Sequence, residues 1–198
     1  MIELGYIIDI LKGKKPWLKN LKGRILDAGC GEGDFLAKFP NSIGIDINIE
    51  HLKKAKTKNK NVVLASVTHI PFKSESIDSI YSHDVIEHLD VNSAYEMFIE
   101  FQRILKKGGC IVLRTQMATP KIWNTFSHVK PYPASSIKKL LSAEHLETFS
   151  PLKTLIIKEV YYFGRYSKIK IMRYIYSFIA HFLKVGRISY AMIIIKEE

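Results

Sequence analysis

The sequence predicts an α/β fold built on a parallel sheet with helices on both faces. Two observations carry this reading. Short apolar runs alternate with segments of helical periodicity through the first two thirds of the chain. The first of those runs ends directly in a string of glycines at 29, 31 and 33. Sheets of this kind bind ligands beyond the carboxyl ends of their strands, where the strand order reverses.

Taken in order, Arg24–Ala28, Ile43–Asp46, Val62–Ala65, Ile77–Ser82 and Cys110–Arg114 read as five strands. Asn48–Lys58 reads as a helix with a lysine-rich outer face, and Ala94–Leu105 carries apolar residues at helical spacing. Lys106-Lys107-Gly108-Gly109 is expected to end that helix. Met117–Pro133 has no clear period and reads as a long loop or small cap. Ala134–Ala143 is expected as a short helix, and Leu155–Phe163 and Ser189–Ile195 as strands. Ser167–Lys184 reads as a helix with a narrow polar stripe of Lys170, Arg173, Ser177, His181 and Lys184. The rest of that helix is so apolar that something must cover it: the sheet, a second copy or a membrane surface.

Composition sets the limits. A chain of 198 residues with 47% hydrophobic and 25% charged residues is globular rather than disordered. It is expected to be one domain over 1–198, with 116–135 and 163–187 as cap or interface elements. Two cysteines, Cys30 and Cys110, support neither a disulfide framework nor a four-ligand zinc site. No His/Asp/Glu cluster has ligand spacing, so no metal is expected. The opening Met1-Ile2-Glu3 shows no signal-peptide pattern and no uncharged run reaches 18 residues, so a cytoplasmic location is expected. Residues 111–198 hold 14 Lys/Arg against 5 Asp/Glu, so the net charge of +11 belongs almost wholly to the second half. Such a half attracts RNA, an anionic lipid surface or an acidic small molecule, or is simply a soluble basic surface.

The strongest local signal is LDAGCGEGDF at 26–35. Glycines allow a tight turn and a close backbone approach to a ligand. The spacing is G-x-G-x-G, and Asp34 stands where the dinucleotide fingerprint has its third glycine. Asp27, Glu32 and Asp34 would repel a pyrophosphate and suit a ligand bearing positive charge. Asp46, closing the second strand in GIDIN, is placed to accept both hydroxyls of a ribose.

LDAGCGEGDF at 26–35, GIDIN at 44–48, VVLASVTHIPF at 62–72, DSIYSHDVIEHL at 78–89 and LKKGG at 105–109, in this order, resemble the class I S-adenosylmethionine-dependent methyltransferases of the small-molecule, quinone-biosynthesis-like type. The resemblance implies a Rossmann-like seven-stranded sheet, mostly parallel with the last strand antiparallel. It implies S-adenosyl-L-methionine as cofactor, with Asp27, Gly29 and Gly31 at its methionine part. It further implies Asp46 and the adjoining Ile47 at the ribose, Ser66 and Val67 beside the adenine, and Ser82 and His83 at the methyl-donor end. Ser66 departs from the acidic residue usual in the family.

Methyl transfer needs alignment and exclusion of water, and an oxygen or nitrogen acceptor also needs a base. His83, His88 and His128 are the candidates. Structural packing is the competing role for the Glu87-His88 pair and for His128. Trp123, Phe126, Tyr132 and His128 are expected either to form an acceptor pocket or to pack as a lid. Both cysteines read as inert core thiols. The leading expectation is a methyltransferase for a small, perhaps apolar acceptor. An RNA methyltransferase, suggested by the basic half and the Lys53–Lys60 run, and a catalytically silent cofactor-binding scaffold are the alternatives. Peripheral membrane contact and a homodimer are both compatible with the apolar helix.

Overall fold

The computed structural model describes residues 15–142, 146, 148–164, 172, 175, 176, 178–183 and 185–197. Seven strands form one sheet: β1 (Ile25–Ala28), β2 (Ile43–Asp46), β3 (Val62–Leu64), β4 (Ile77–His83), β5 (Leu105–Gln116), β6 (Leu155–Phe163) and β7 (Ser189–Lys196). Their order is β3-β2-β1-β4-β5-β7-β6. The five strands from β3 to β5 run parallel, and β7 pairs antiparallel with both of its neighbours. The chain builds outward from β1 to β3 and then restarts on the other side of β1 with β4. The reversal therefore falls between β1 and β4, where their carboxyl ends part and leave a crevice.

Burial follows position in the sheet. All four residues of β1 are buried, as a central strand covered on both faces requires. At the edge, β3 has no buried residue. Helix α1 (Ile49–Lys58) starts because the Asn48 side chain accepts from the amides of Glu50 and His51, at 2.9 and 3.3 Å. It buries only Leu52 and Ala55, which leaves its lysines in solvent. Helix α2 (Val91–Ile104) is capped by Asp90, which accepts from the Ser93 amide at 2.9 Å. Its Ala94, Met97, Phe98, Phe101 and Ile104 form one buried face at steps of three and four. Helix α3 (Ala134–Ser142) buries Ala134, Ile137 and Leu141.

The structure departs from the sequence expectation at Lys106–Gly109 and adds detail in two further segments. The stretch Lys106–Gly109 does not separate α2 from β5; it lies inside β5 as a bulge, where Leu105 pairs Ile77 but Cys110 pairs Ser79. Gly108, with a φ of 68°, supplies the left-handed turn this needs. The segment Met117–Pro133 contains a short 3-10 turn at Pro120–Asn124. Of the expected helix over 167–184, the residues described are 172, 175, 176 and 178, which are helical, and a π-helical turn at Ile179–Leu183; the rest lies outside the described residues, including most of the polar stripe. Among the described residues, no helix is long and apolar enough to cross a membrane.

Candidate active site

A cavity of about 640 Å³ opens over the carboxyl ends of β1, β2 and β4. This is the size of a pocket for a nucleoside-sized ligand. One wall is the glycine turn after β1. The amides of Gly29 and Cys30 both donate to the Ile45 carbonyl at 2.9 Å, folding the turn back over β2. Gly29 has a φ of 80°, and a Cβ there would come within 2.3 Å of Val85 Cγ2. Gly31 has a φ of 51° and open space where a Cβ would stand, so its backbone is bare toward the cavity.

Asp46 joins this turn to the tip of β2. Its Oδ2 accepts from the Gly31 amide and its Oδ1 from the Asn48 amide, each at 2.8 Å. A carboxylate has about four acceptor sites, so two remain for ligand hydroxyls. His51, from the first turn of α1, brings Nδ1 within 3.9 Å of Asp46 Oδ1 and also lines the cavity. Sequence reasoning missed His51. The signal was available: three residues past the Asn48 cap, a side chain turns back toward that cap.

Asp27 lies beneath the turn and not in the cavity wall. It is only 2% exposed, and its Oδ2 has no hydrogen-bond partner. Burial, with a further push from the Asp46 carboxylate, raises its pKa to about 8. An unsatisfied buried carboxyl under a glycine turn is a place where a cationic group is stabilised. The residues present therefore fit a ligand that combines an ammonium with a ribose.

The other carboxylates of the turn, Glu32 and Asp34, are not among the residues that line the cavity. Glu32 pairs with Lys54 at 2.6 Å and Asp34 with Lys58 at 2.7 Å, both toward α1. The charge argument made from the sequence thus narrows to Asp27 and Asp46. The same pairs, with Lys53 on Glu50 at 2.7 Å, occupy three lysines of the Lys53–Lys60 run.

At the far wall, Ala65, Ser66 and Val67 line the cavity. The Ser66 hydroxyl is engaged with Thr68 Oγ1 at 2.8 Å, in a local turn. Ile47 also lines the cavity. At the β4 end the lining residues are His83, Asp84, Val85, His88, Leu89 and Ser127. Ser82 is fully buried and its hydroxyl has no partner; it stands behind the wall rather than in it. His83 Nε2 lies 3.2 Å from Asp84 Oδ2. Asp84 holds a left-handed φ of 53°, a costly backbone for a side-chain-bearing residue and one that clusters at functional sites. Burial pushes the Asp84 carboxyl up, but the His83 hydrogen bond and the His83 and Arg114 charges hold it below its ordinary value.

Glu87 is fully buried, with Oε2 accepting from Thr115 Oγ1 at 2.8 Å. Its main-chain carbonyl accepts from the amides of Val129 and Lys130, at 2.9 and 3.2 Å. His88 Nδ1 is 3.0 Å from the Ser127 carbonyl. The strap from Ser127 to Lys130 is thus laced to the 3-10 turn Ile86–His88. His128 packs edge-on against His88, with centroids 4.8 Å apart and its Nδ1 on the Ile122 carbonyl. Of the three candidate histidines, His83 and His88 line the cavity, and His128 adjoins it through His88.

Of the aromatics expected either to form an acceptor pocket or to pack as a lid, Trp123, Phe126 and Tyr132 are not among the residues that line the cavity. Trp123 and Phe126 are exposed, and Tyr132 is buried, with its hydroxyl spent on the Leu89 carbonyl at 3.0 Å. The physical reason is the lacing just described: it turns the strap so that Tyr132 enters the core and Phe126 leaves it. Burial raises the Cys30 thiol to about 12 and also raises Cys110. Among the described residues no group of three or more His, Cys, Asp or Glu could hold a metal ion.

Residues 26–113 match a family model described as a methyltransferase domain. Over this stretch, a little under half of the chain, the sequence is similar to a methyltransferase domain. The matched residues run from β1 into β5, the five parallel strands whose carboxyl edge carries the cavity. The chain is 32% identical over 121 residues to a malonyl-[acyl-carrier protein] O-methyltransferase of Hamiltonella defensa, covering 57% of this chain and 43% of that one. It is 29% identical over 118 residues to a tRNA (carboxymethyluridine(34)-5-O)-methyltransferase of Arabidopsis thaliana, covering 58% and 29%. The chain spans between about a third and a half of the length of the first curated relatives it matches. The fold is shared with the crystal structure of a SAM-dependent methyltransferase from Archaeoglobus fulgidus, at a TM-score of 0.70 and 20% identity over 98% of this chain and all of that one.

Proposed function

We propose that this chain transfers a methyl group from S-adenosylmethionine to a small-molecule acceptor. The single observation that carries the reading is Asp46 bridging the glycine turn and the tip of β2, at the edge of a cavity of about 640 Å³. When bound, the cofactor supplies a methyl carbon made electrophilic by its sulfonium leaving group.

The chain's own residues do the rest. Gly29 and Gly31, with Asp27 beneath them, hold the amino-acid end. Asp46, with Ile47 beside it, holds the ribose. Ser66 and Val67 flank the adenine, where the committed Ser66 hydroxyl makes a weak acceptor. His83 stands at the methyl end, with Ser82 behind it. His83 acts as the base for an acceptor that carries a proton. Its Nε2 lies 3.2 Å from Asp84 Oδ2, which would accept from that nitrogen's N–H and leave Nδ1 as the accepting atom. His88 closes the wall and excludes water, and His128 positions His88 through ring contact. The segments 116–135 and 163–187 cap the site within a single domain over 1–198.

Titration calorimetry with S-adenosylmethionine and S-adenosylhomocysteine tests the cofactor half. Absence of heat at millimolar ligand rejects it. Transfer of labelled methyl to an extract fraction tests turnover, and binding without transfer to any fraction supports the silent-scaffold alternative. A second reading, with RNA as acceptor, is favoured by the 14 Lys/Arg of residues 111–198 against 5 Asp/Glu. It predicts tRNA affinity that falls steeply with salt. A flat salt profile excludes it.

A further inference from the structure

The carboxyl edge of the sheet carries more than the cavity. Gln116 at the end of β5 pairs with Ser189 at the start of β7, and Phe163 at the end of β6 pairs with the same Ser189. The connections 117–133 and 164–188 therefore both leave from the edge at which the cofactor cleft opens. Their sequences are unlike the rest of the chain: together they hold 8 Lys/Arg and not one Asp or Glu.

These same connections display large apolar side chains to solvent. Phe126 is fully exposed, at 104%, and Trp123 is 58% exposed. Val129, Phe178, Leu183 and Val185 are exposed as well, the last two by more than 60%. Isolated exposed apolar residues need no explanation, but six on two segments whose sequences bear only positive charge do. Apolar side chains that reach into acyl chains, set among cations that meet headgroup phosphates, are the chemistry of an interfacial docking face.

We propose that this edge docks onto an anionic lipid bilayer, with Phe126 and Trp123 entering the headgroup–acyl boundary. The occupant is a membrane and not a second copy because the charge argues so. Two such faces would set like charges against each other, whereas a bilayer containing anionic lipid is complementary. The mouth of the cavity then faces the membrane, and an amphipathic acceptor reaches His83 without crossing water. This last consequence rests on the methyl-transfer reading above; the docking does not.

The test is co-sedimentation of the 198-residue chain with vesicles of phosphatidylcholine, with and without 30% phosphatidylglycerol. The expected result is partition onto the anionic vesicles, little onto the neutral ones, and a loss of about ten-fold or more for Phe126→Ser. Trp123 supplies an independent signal, because Trp17 is buried in the core. Its emission should shift to the blue on anionic vesicles and be quenched by brominated acyl chains. Cofactor binding by calorimetry should be the same for Phe126→Ser as for the native chain, which separates failure of docking from failure of the methyl-transfer reading. No binding to anionic vesicles overturns the proposal. So does binding that Phe126→Ser leaves unchanged, which would mean surface charge alone. A dimer in light scattering that Phe126→Ser dissociates overturns it in favour of a second copy. Full displacement from vesicles by equimolar tRNA, with no quenching by brominated lipid, overturns it in favour of RNA.

Discussion

Replacing Asp27 with Asn tests the electrostatics of the turn directly. The native carboxyl is moved from 3.8 to about 8 by burial and by the Asp46 charge. In the unfolded chain it ionises near its ordinary value. Between these two values the unfolded state holds fewer protons than the folded one, so stability falls as pH rises. The slope is about 1.4 kcal/mol per pH unit, and at pH 7 the accumulated cost is about 4 kcal/mol. An isosteric amide does not ionise and removes that cost. Asp27→Asn should therefore be the more stable protein in urea unfolding at pH 7. Its advantage should shrink steadily toward pH 5, where most of the cost has gone. Binding of a cationic ligand above Asp27 should also draw its pKa down. Native protein at pH 7 should then release close to one proton on binding S-adenosylmethionine, read from calorimetry in buffers of different ionisation enthalpy. The variant should release none and bind more weakly. Parallel stability–pH curves for the two proteins would refute this reasoning.

Other consequences follow from the same geometry. Gly29→Ala places a methyl within 2.3 Å of Val85 Cγ2 at a φ of 80°. It should cost roughly 1–3 kcal/mol in denaturant unfolding. His83→Asn should leave cofactor affinity near native while lowering turnover by roughly 10²–10⁴, provided the acceptor loses a proton; equal loss of both would assign His83 to cofactor binding instead. Asp46→Asn should weaken binding of adenosine as well as of the full cofactor, by about 1.5–3 kcal/mol, measured by calorimetry. Cys30, raised to about 12, should resist iodoacetamide at pH 8 until denaturant opens the fold, as mass spectrometry would show.

Much of this site was legible in the sequence because its parts are local. A strand that ends in glycines, and a carboxylate that ends the next strand, place Gly29, Gly31 and Asp46 without knowledge of anything distant. What depends on tertiary pairing was not legible. Glu32 and Asp34 look like ligand-facing acids until Lys54 and Lys58 arrive from 22 and 24 residues away. The burial of Tyr132 and the exposure of Phe126 depend on hydrogen bonds across some forty residues to Glu87, His88 and Leu89. The bulge in β5 escaped because Lys106–Gly109 has the composition of a helix stop, and only the register with β4 shows that the ladder continues.

The bond from the Gly31 amide to Asp46 makes the two halves of the crevice one mechanical unit. On the proposed reading, a nucleoside seated against Asp46 would steady the loop that holds the amino-acid end, and an amino acid on the loop would orient the carboxylate that holds the sugar. Fragments of the cofactor, offered as separate molecules, should accordingly help each other bind. Cutting the tether at Asp46 should leave them indifferent to one another.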